Sequence, residues 1–489
     1  MKKSLYKFSM GLAFALALVS CDFDTELAQN TDTADAYKTI QDVQNGTIGA
    51  YQALAYYPFL GNYAIAVGDF AGGLADGSAS SGHFYNVSEW IVSDTDEEME
   101  GIWAYGYKVI DRAVRTINGA NALMAADPEM GVADKMTLYG YISQCYAMRA
   151  LAYFTLAQYF CYPYAAGADC KGLPLVKDQP VEAFTKVSRA SLGDTYALMV
   201  EDIDKALEYS EQAGGTSLDY FYLNKAAIYA LKARVNLYMG NYDVAEEAAK
   251  NAIALKNKGD GTYTDLTPTN ESYLSMWTSL SVSDEDIFTL TKTENDNLSA
   301  NALNTLYGSY YCTVSNYAEA CFEETDTRYL LIGPVDGNDH SCMKYEGLEA
   351  SQATSNIPIF RKSEMSLIIA ECEARAGNIE EAKKYVGYTA KRNTRYAAED
   401  GSCNLSMLPD NKEDLLHFIW AENIREFFGE GHFYADARRL DKTIVVMGGR
   451  CTTFRPAKFV FPIPSGEINS GFMTEQNEGW ENALPEADS

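Results

Sequence analysis

Between Ile419 and Lys442 the chain reads IWAENIREFFGEGHFYADARRLDK, and this stretch limits what the rest can fold into. Ile419, Ile424, Phe427 and Phe428 recur at helical spacing and mark one buried face. Glu422, Arg425, Glu426, Glu430, Asp436, Arg438 and Arg439 are threaded between them. Such a segment can bury a face only if its charges find partners, because an unpaired buried charge is very costly. It predicts the charged spine of a large helical fold. Arg361 to Gly377 has the same habit, with Arg361, Glu364 and Glu371 on another helical pattern. Glu426, Glu430, Arg438 and Arg439 are therefore expected to pair with charges on neighbouring repeats and to lock the final helix onto the scaffold. The competing reading, prompted by the acids and arginines crowded around His432, is an active site.

At 489 residues the chain can form two or three domains, or one large helical array. Its 47% hydrophobic content excludes a disordered chain. Lys2, Lys3 and Lys7 precede an apolar run from Met10 to Val19, too short to span a bilayer and suited to a signal peptide. Leu18-Val19-Ser20-Cys21 resembles a bacterial lipobox, which makes Cys21 the acylated first residue of the mature chain. Asp22, Asp24 and Glu26 resemble the acidic signal that sends lipoproteins of the Bacteroidetes group to the outer face of the outer membrane. Lipid on Cys21 is then the expected anchor. Removing residues 1–20 takes the net charge from −29 to −32, since three lysines and no acids are lost. That excess excludes nucleic acid as the main partner.

A repeated design follows. A helix over Tyr222 to Met239, the turn Gly240-Asn241-Tyr242 and a helix over Val244 to Leu255 match Ser363 to Ala376, Gly377-Asn378-Ile379 and Glu381 to Arg392. Ala245 and Ala382 each lie five residues after their glycine, small enough to let paired helices approach. The layout resembles a tetratricopeptide unit, and residues 142–160 with 194–210 are a third candidate pair. Further helices are predicted over Ile40 to Tyr57, Met99 to Ala125 and Met136 to Phe160, with loops over Pro58 to Asp96. Residues 257–358 lack a helical stripe but hold many aromatics, and read as a loop-rich inserted region. Phe459 to Pro464 reads as a short strand-like run. Nine cysteines follow Cys21: Cys145, Cys161, Cys170, Cys312, Cys321, Cys342, Cys372, Cys403 and Cys451. Their odd number leaves one unpaired within the chain. Cys161 with Cys170, and two of Cys312, Cys321 and Cys342, are candidate bridges, while Cys145 and Cys372 read as buried thiols.

Several stretches together resemble the SusD/RagB family of outer-membrane nutrient-uptake lipoproteins. They are the lipobox at Cys21, Tyr146 to Phe154 with Tyr162-Pro163 and Gly172 to Val176, Arg361 to Gly377, Ile424 to Arg439, and Phe461 to Pro464 with Glu467-Ile468. The resemblance implies a mostly α fold: a tetratricopeptide-like helical-repeat scaffold with a loop-rich inserted ligand-binding subdomain. It divides the chain into a signal peptide (1–20), a lipidated tether (21–40), an N-terminal helical region (41–256), the insertion (257–358) and a C-terminal region (359–489). It also implies a SusC-like TonB-dependent transporter as partner and an oligosaccharide, or a peptide, as cargo. Ligand contacts lie outside the shared motifs, so the resemblance transfers no site.

The residues must supply the candidates. His83, His340, His417 and His432 form no His-Glu-x-x-His, and there is no Gly-x-Ser-x-Gly elbow or Gly-Lys-Ser/Thr phosphate loop, so no catalytic residue is expected. No cofactor is expected either. Structural calcium at Asp94, Asp96, Glu97 and Glu98, or at Asp336, Asn338 and Asp339, has little support, since neither fits an EF-hand loop. Binding without catalysis is the leading reading. A sugar presents apolar C–H faces and polar edges, which a flat aromatic beside amide and carboxylate groups can match. Phe84, Tyr85 and Trp90 fit, with Asp76, Ser78 and Asn86 nearby. Trp277, Tyr307, Tyr310 and Tyr311 fit in the insertion, with Asn301, Asn304 and Arg328 as hydrogen-bonding partners. The alternative for each aromatic is an apolar plug that pins a loop, and Trp103 reads as core. A periplasmic tetratricopeptide scaffold that binds only proteins is the rival reading for the whole chain.

Overall fold

The computed structural model describes residues 36–182, 184–215, 219–256, 270–346, 353–446, 453–473 and 475–485. The expected signal peptide, the expected lipid site at Cys21, and Cys451 lie outside them. Helix α1 (Ile40–Leu54) opens on a capping box, in which Thr39 and Asp42 satisfy each other's backbone N–H. Helix α2 (Tyr63–Phe70) follows a kinked turn. Helices α3 (Glu97–Ala126), α4 (Val132–Phe160), α5 (Leu192–Gln212), α6 (Lys225–Met239) and α7 (Tyr242–Lys256) pack each on the next. Helices α8 (Lys362–Ala376), α9 (Ile379–Ala390), α10 (Lys412–Phe427) and α11 (Phe433–Arg439) complete the array, α8 stacking on α7. The fold is mostly α and tetratricopeptide-like.

The two matching turns close in the same way. Gly240 and Gly377 take left-handed φ of 79° and 89°, conformations that favour glycine. The next N–H reaches back five residues, from Asn241 to Asn236 O and from Asn378 to Glu373 O, each at 2.9 Å. This is a Schellman closure, which satisfies carbonyls left over at a helix end. Ala245 and Ala382 are buried at the helix contacts. Helices α4 and α5 form the third pair, joined by a buried Arg149–Asp202 ion pair at 2.6 Å. A second apolar cluster, with Ala374, Ala382, Val386, Leu415 and Ile419, fills the space between α8, α9 and α10.

Three expectations differ from what is seen. Pro58 to Asp96 is not all loop, because α2 runs through it, buried at every position after Tyr63; its sequence is apolar on nearly every side, so no polar face marks a period. Phe459 to Pro464 pairs with no strand; Phe461 N–H instead donates to Tyr159 O at 3.0 Å. All eight described cysteines are free thiols, so neither candidate bridge forms. Cys170, Cys312 and Cys321 point their sulfurs at the carbonyls of Ala166, His83 and Tyr317 instead.

The inserted region is sewn to the scaffold by short antiparallel ladders. Strand β1 (Ala75–Asp76) and strand β2 (Asp286–Leu290) pair with β3 (Thr313–Val314) and with β6 (Ile357–Arg361), while β4 (Ile332–Val335) and β5 (Asn338–Cys342) form a hairpin. The hairpin turns on Asp336-Gly337, both at positive φ (52° and 83°), the geometry that suits a two-residue hairpin. Asn338, a calcium candidate, instead donates to Tyr307 O (2.6 Å) and Cys312 O (2.7 Å). No helix among the described residues is long and apolar enough to cross a membrane.

The 419–442 stretch is two helices, α10 and α11, broken at Phe428–His432. Its acids face a buried set of cations. Glu426 meets Arg361 (2.9 Å), Arg392 (3.1 Å) and Arg328 (3.2 Å). Glu430 meets Lys344 (2.6 Å) and Arg361 (2.8 Å), and Glu422 meets Arg328 (2.9 Å) and Arg425 (2.6 Å). Asp326 and Glu285 complete the set, so five cations face five carboxylates. Arg439 pairs with Glu371 and Asp436 as expected of a structural charge. Arg438 does not pair with an acid. Its guanidinium donates to Gln158 O and Cys161 O at the end of α4, and to Pro456 O and Phe459 O. A cation there also offsets the partial negative charge of the helix terminus. His432 stacks on Phe427 (4.6 Å, 10°), and burial among Arg234, Arg361 and Lys344 holds its pKa well below the usual imidazole range.

The network sets two expectations. Glu426→Ala removes the carboxylate shared by three buried guanidiniums and lowers stability by about 3–5 kcal/mol, whereas Arg455→Ala breaks only the exposed pair with Asp441 and costs less than about 1 kcal/mol; chemical denaturation of both variants measures the contrast. Burial pushes the Glu422 carboxyl up, but Arg328 and Arg425 outweigh it and hold it at about 2. Its folded pKa lies below the ordinary value, so its contribution is complete above about 4.3 and is lost as pH falls towards 2. Asp69 has the opposite sign: burial raises it to about 8, so its contribution is complete below about 3.9 and falls away as pH rises from there to about 8. Asp69→Asn is expected to flatten a Tm–pH profile between about pH 4 and 8 and to leave the slope below that range in place.

Candidate functional site

A cleft of about 300 Å³ lies where α2, the 78–84 loop, the start of α3 and the 300–310 segment meet. Each part is fixed by a local device. Asn62 precedes α2, and its Nδ2 donates to Asn301 O at 2.8 Å, tying the N-terminal region to the insertion. The 78–83 loop closes on itself through Ser78 N to His83 O (3.1 Å) and Gly82 N to Ser78 O (2.8 Å). Ser81 Oγ donates to Tyr310 O (2.8 Å), and the His83 and Tyr310 rings stack at 3.8 Å and 12°. Asn338 and Ser341 both donate to Tyr307 O and so position the segment that carries Tyr310.

The lining combines flat rings with acceptor groups. Glu97 and Glu98 stand at the first turn of α3, where carboxylates are favoured by the helix dipole. The Tyr63 hydroxyl donates to Glu97 (3.1 Å), and burial, reinforced by that carboxylate, keeps it protonated far above the usual range. Burial also raises Glu98 above the usual carboxylate range. Asn62 is 3% exposed, and its Oδ1 has no hydrogen-bond partner among the described residues. His83 Nδ1 is buried and likewise unpartnered. A buried acceptor with no partner is uncommon and calls for an explanation.

A row of tyrosines runs out from the cleft. Phe84 meets Tyr63 (5.8 Å), Tyr63 meets Tyr57 (5.4 Å), Tyr57 meets Tyr56 (4.8 Å), and Tyr56 meets Tyr105 (5.2 Å). Tyr56 is exposed, and Tyr57, Tyr63 and Tyr105 are half-buried. The arrangement can stack a flat apolar face along the row and accept hydrogen bonds from the ligand's edges in the cleft. Among the described residues no group of three or more His, Cys, Asp or Glu side chains is disposed to hold a metal.

Two family models match this chain. The one described as the SusD family covers residues 270–480, and the one described as starch-binding associating with outer membrane covers residues 24–237. The chain belongs to the SusD/RagB family. Similar proteins agree with this membership. The SusD-like protein P38 of Formosa agariphila is 24% identical, over 88% of this chain and 90% of that protein. A SusD superfamily protein of Bacteroides vulgatus has the same fold, with a TM-score of 0.77, 24% identity, and coverage of 91% of this chain and 100% of that one. A SusD-like carbohydrate binding protein of the same species has a TM-score of 0.68 at 19% identity, covering 84% of this chain and 85% of that one.

Within this family member the aromatics singled out in the sequence part into two sets. Phe84, Trp90, Trp277 and Tyr307 are buried and belong to the core. Trp90 is fully enclosed by Phe454, Phe459 and Phe461; Phe84 and Tyr307 stack on either side of Phe70. Trp277 lies over the buried cations Lys344 (5.0 Å) and Arg361 (5.5 Å). Arg328, offered as a ligand donor, is fully buried in the charged spine. Tyr310 and Asn301 do line the cleft, Tyr85 and Asp76 are half-buried near it in chain position, and Tyr311 is 50% exposed. Burial raises the Asp76 carboxyl to about 6. Phe84, Trp90 and Tyr311 hold φ of 52°, 55° and 58°, a strained conformation for bulky residues that surrounding packing must impose. Sequence reasoning missed Asn62, Tyr63, His83, Glu97 and the Tyr56–Tyr57–Tyr105 row. The run Tyr56-Tyr57-Pro58 was the available signal, because proline ends the helix there and turns both rings outward.

The partition is measurable by stability. Trp90→Ala is expected to lower it by about 3–5 kcal/mol, while Tyr311→Ala changes it by less than about 0.5 kcal/mol; thermal denaturation of the two variants is the check.

Proposed function

We propose that this protein is a lipid-anchored, cell-surface binding protein that captures oligosaccharides in the cleft and passes them to a SusC-like TonB-dependent transporter. The observation that carries the reading is a row of tyrosines leading into a cleft where a buried amide oxygen, Asn62 Oδ1, has no partner among the described residues. Aromatic rings take the C–H faces of a sugar at low entropic cost, and an unsatisfied acceptor gains a hydroxyl donor. The family description of starch binding at the outer membrane and the carbohydrate-binding Bacteroides vulgatus relative support the ligand class. The lipobox at Cys21 and the acidic residues after it support the anchor and the surface address. No reaction is assigned, and the cleft's role is retention and transfer.

Calorimetric titration of the protein with oligosaccharide mixtures is expected to give heat, and peptide mixtures none. Asn62→Ala and Tyr310→Ala are each expected to weaken binding at least ~10-fold, or about 1.4 kcal/mol, with melting temperature nearly unchanged for Tyr310→Ala. Heat with peptides alone moves the cargo to that class. Protease added to intact cells is expected to degrade the protein, and Cys21→Ala to release it from the membrane fraction; protection from protease contradicts the surface location.

A further inference from the structure

The glycan reading leaves the charge of the glycan open, and the hydrogen-bond accounting of the cleft narrows it. Three donors in the lining are committed within the protein: Asn62 Nδ2 goes to Asn301 O, the Tyr63 hydroxyl to Glu97, and Ser81 Oγ to Tyr310 O. Beside the Asn301 amide and the Tyr310 hydroxyl, the cleft offers a ligand acceptors: Asn62 Oδ1, buried and unpartnered among the described residues, and the carboxylates of Glu97 and Glu98. No lysine or arginine is among the described residues that line it. His83 is the one lining side chain able to carry positive charge, and its ring is engaged face to face with Tyr310. A cation stands at the far end of the tyrosine row, where Lys108 lies over Tyr105 (4.3 Å).

We propose that the cleft selects the charge of the sugar that enters it, accepting neutral or amine-bearing residues and rejecting those with a uronate or sulfate group. This rests on the glycan reading above. A neutral sugar residue brings several hydroxyls, and an ammonium three N–H groups, to donate to Asn62 Oδ1 and to the carboxylates. An anionic substituent brings no donor and sets a like charge beside two carboxylates, of which Glu98 is partly desolvated, where repulsion is stronger than in bulk water. The Asn62 acceptor would then stay buried and unpaired, which is a second cost.

The test is calorimetric titration of the intact protein, at pH 8 and low salt, with two panels. The neutral and amine-bearing panel holds α-glucan, β-glucan, xylan, mannan and chitosan oligosaccharides; the anionic panel holds oligogalacturonate, alginate and sulfated galactan oligosaccharides. The tightest ligand is expected in the first panel, at least ~10-fold ahead of any in the second. The double variant Glu97→Gln/Glu98→Gln, with folding checked by thermal denaturation, is expected to narrow that gap at least ~3-fold, as is raised salt. A uronate or sulfated oligosaccharide that binds the unmodified protein tightest, and loses affinity in Asn62→Ala, overturns the charge selection and leaves the glycan reading standing. A gap that the double variant does not narrow also overturns it. Heat with neither panel overturns the glycan reading itself, and this inference with it.

Discussion

Burying ten charged groups together is the commitment on which the rest of the molecule depends. Desolvation disfavours every member, and only close pairing makes the arrangement tolerable. Here the pairing is distributed. Glu426 is shared by three arginines, and Arg361 and Arg328 each meet three acids, Glu426 being common to both. Such a network is unlike a hydrophobic contact, because it has one register. Slide α10 by a residue and every acid loses its partner, so the charges fix how α10 meets β6, the end of α9 and the inserted region.

That register reaches the cleft through one backbone contact. The break between α10 and α11 ends at Gly431, whose N–H donates to Asp69 Oδ2 at 3.0 Å. A side chain at Gly68 would run into the Gly431 backbone and one at Gly431 into the Ile65 backbone, so neither position has room for one. Glycine at both lets α2 lie directly on the end of the spine. The N-terminus of α2 carries Asn62 and Tyr63. The charged spine therefore acts as the datum from which the cleft's floor is placed, without touching a ligand itself.

How far the sequence discloses this depends on whether the information is local. The repeat pairs were readable because a glycine at left-handed φ and small residues at helix contacts are local requirements. The structural reading of Glu426 and Glu430 followed from the cost of burying charge. Arg438 shows the limit, since a guanidinium can satisfy itself on carbonyls that no sequence pattern marks. Trp90 and Trp277 show another. Both sit in loop-like sequence, and loops here fold inward over the core, which only the tertiary packing decides. The aromatic chemistry of the site was readable as a type; which rings carry it was not, because Tyr56 and Tyr57 look like the end of an amphipathic helix until the proline turn is placed.

The two-residue ladder between Ala75–Asp76 and Thr313–Val314 has a consequence for how the protein comes into being. The cleft draws its walls from chain segments more than two hundred residues apart, as the bond from Asn62 to Asn301 makes plain. Closing so long a loop is entropically unfavourable before the intervening helices have formed, and contacts of that span arrive late in folding. A chain whose second half has not yet been made thus carries no formed cleft. Binding in the cleft is withheld from every shorter intermediate and begins only when both walls have met.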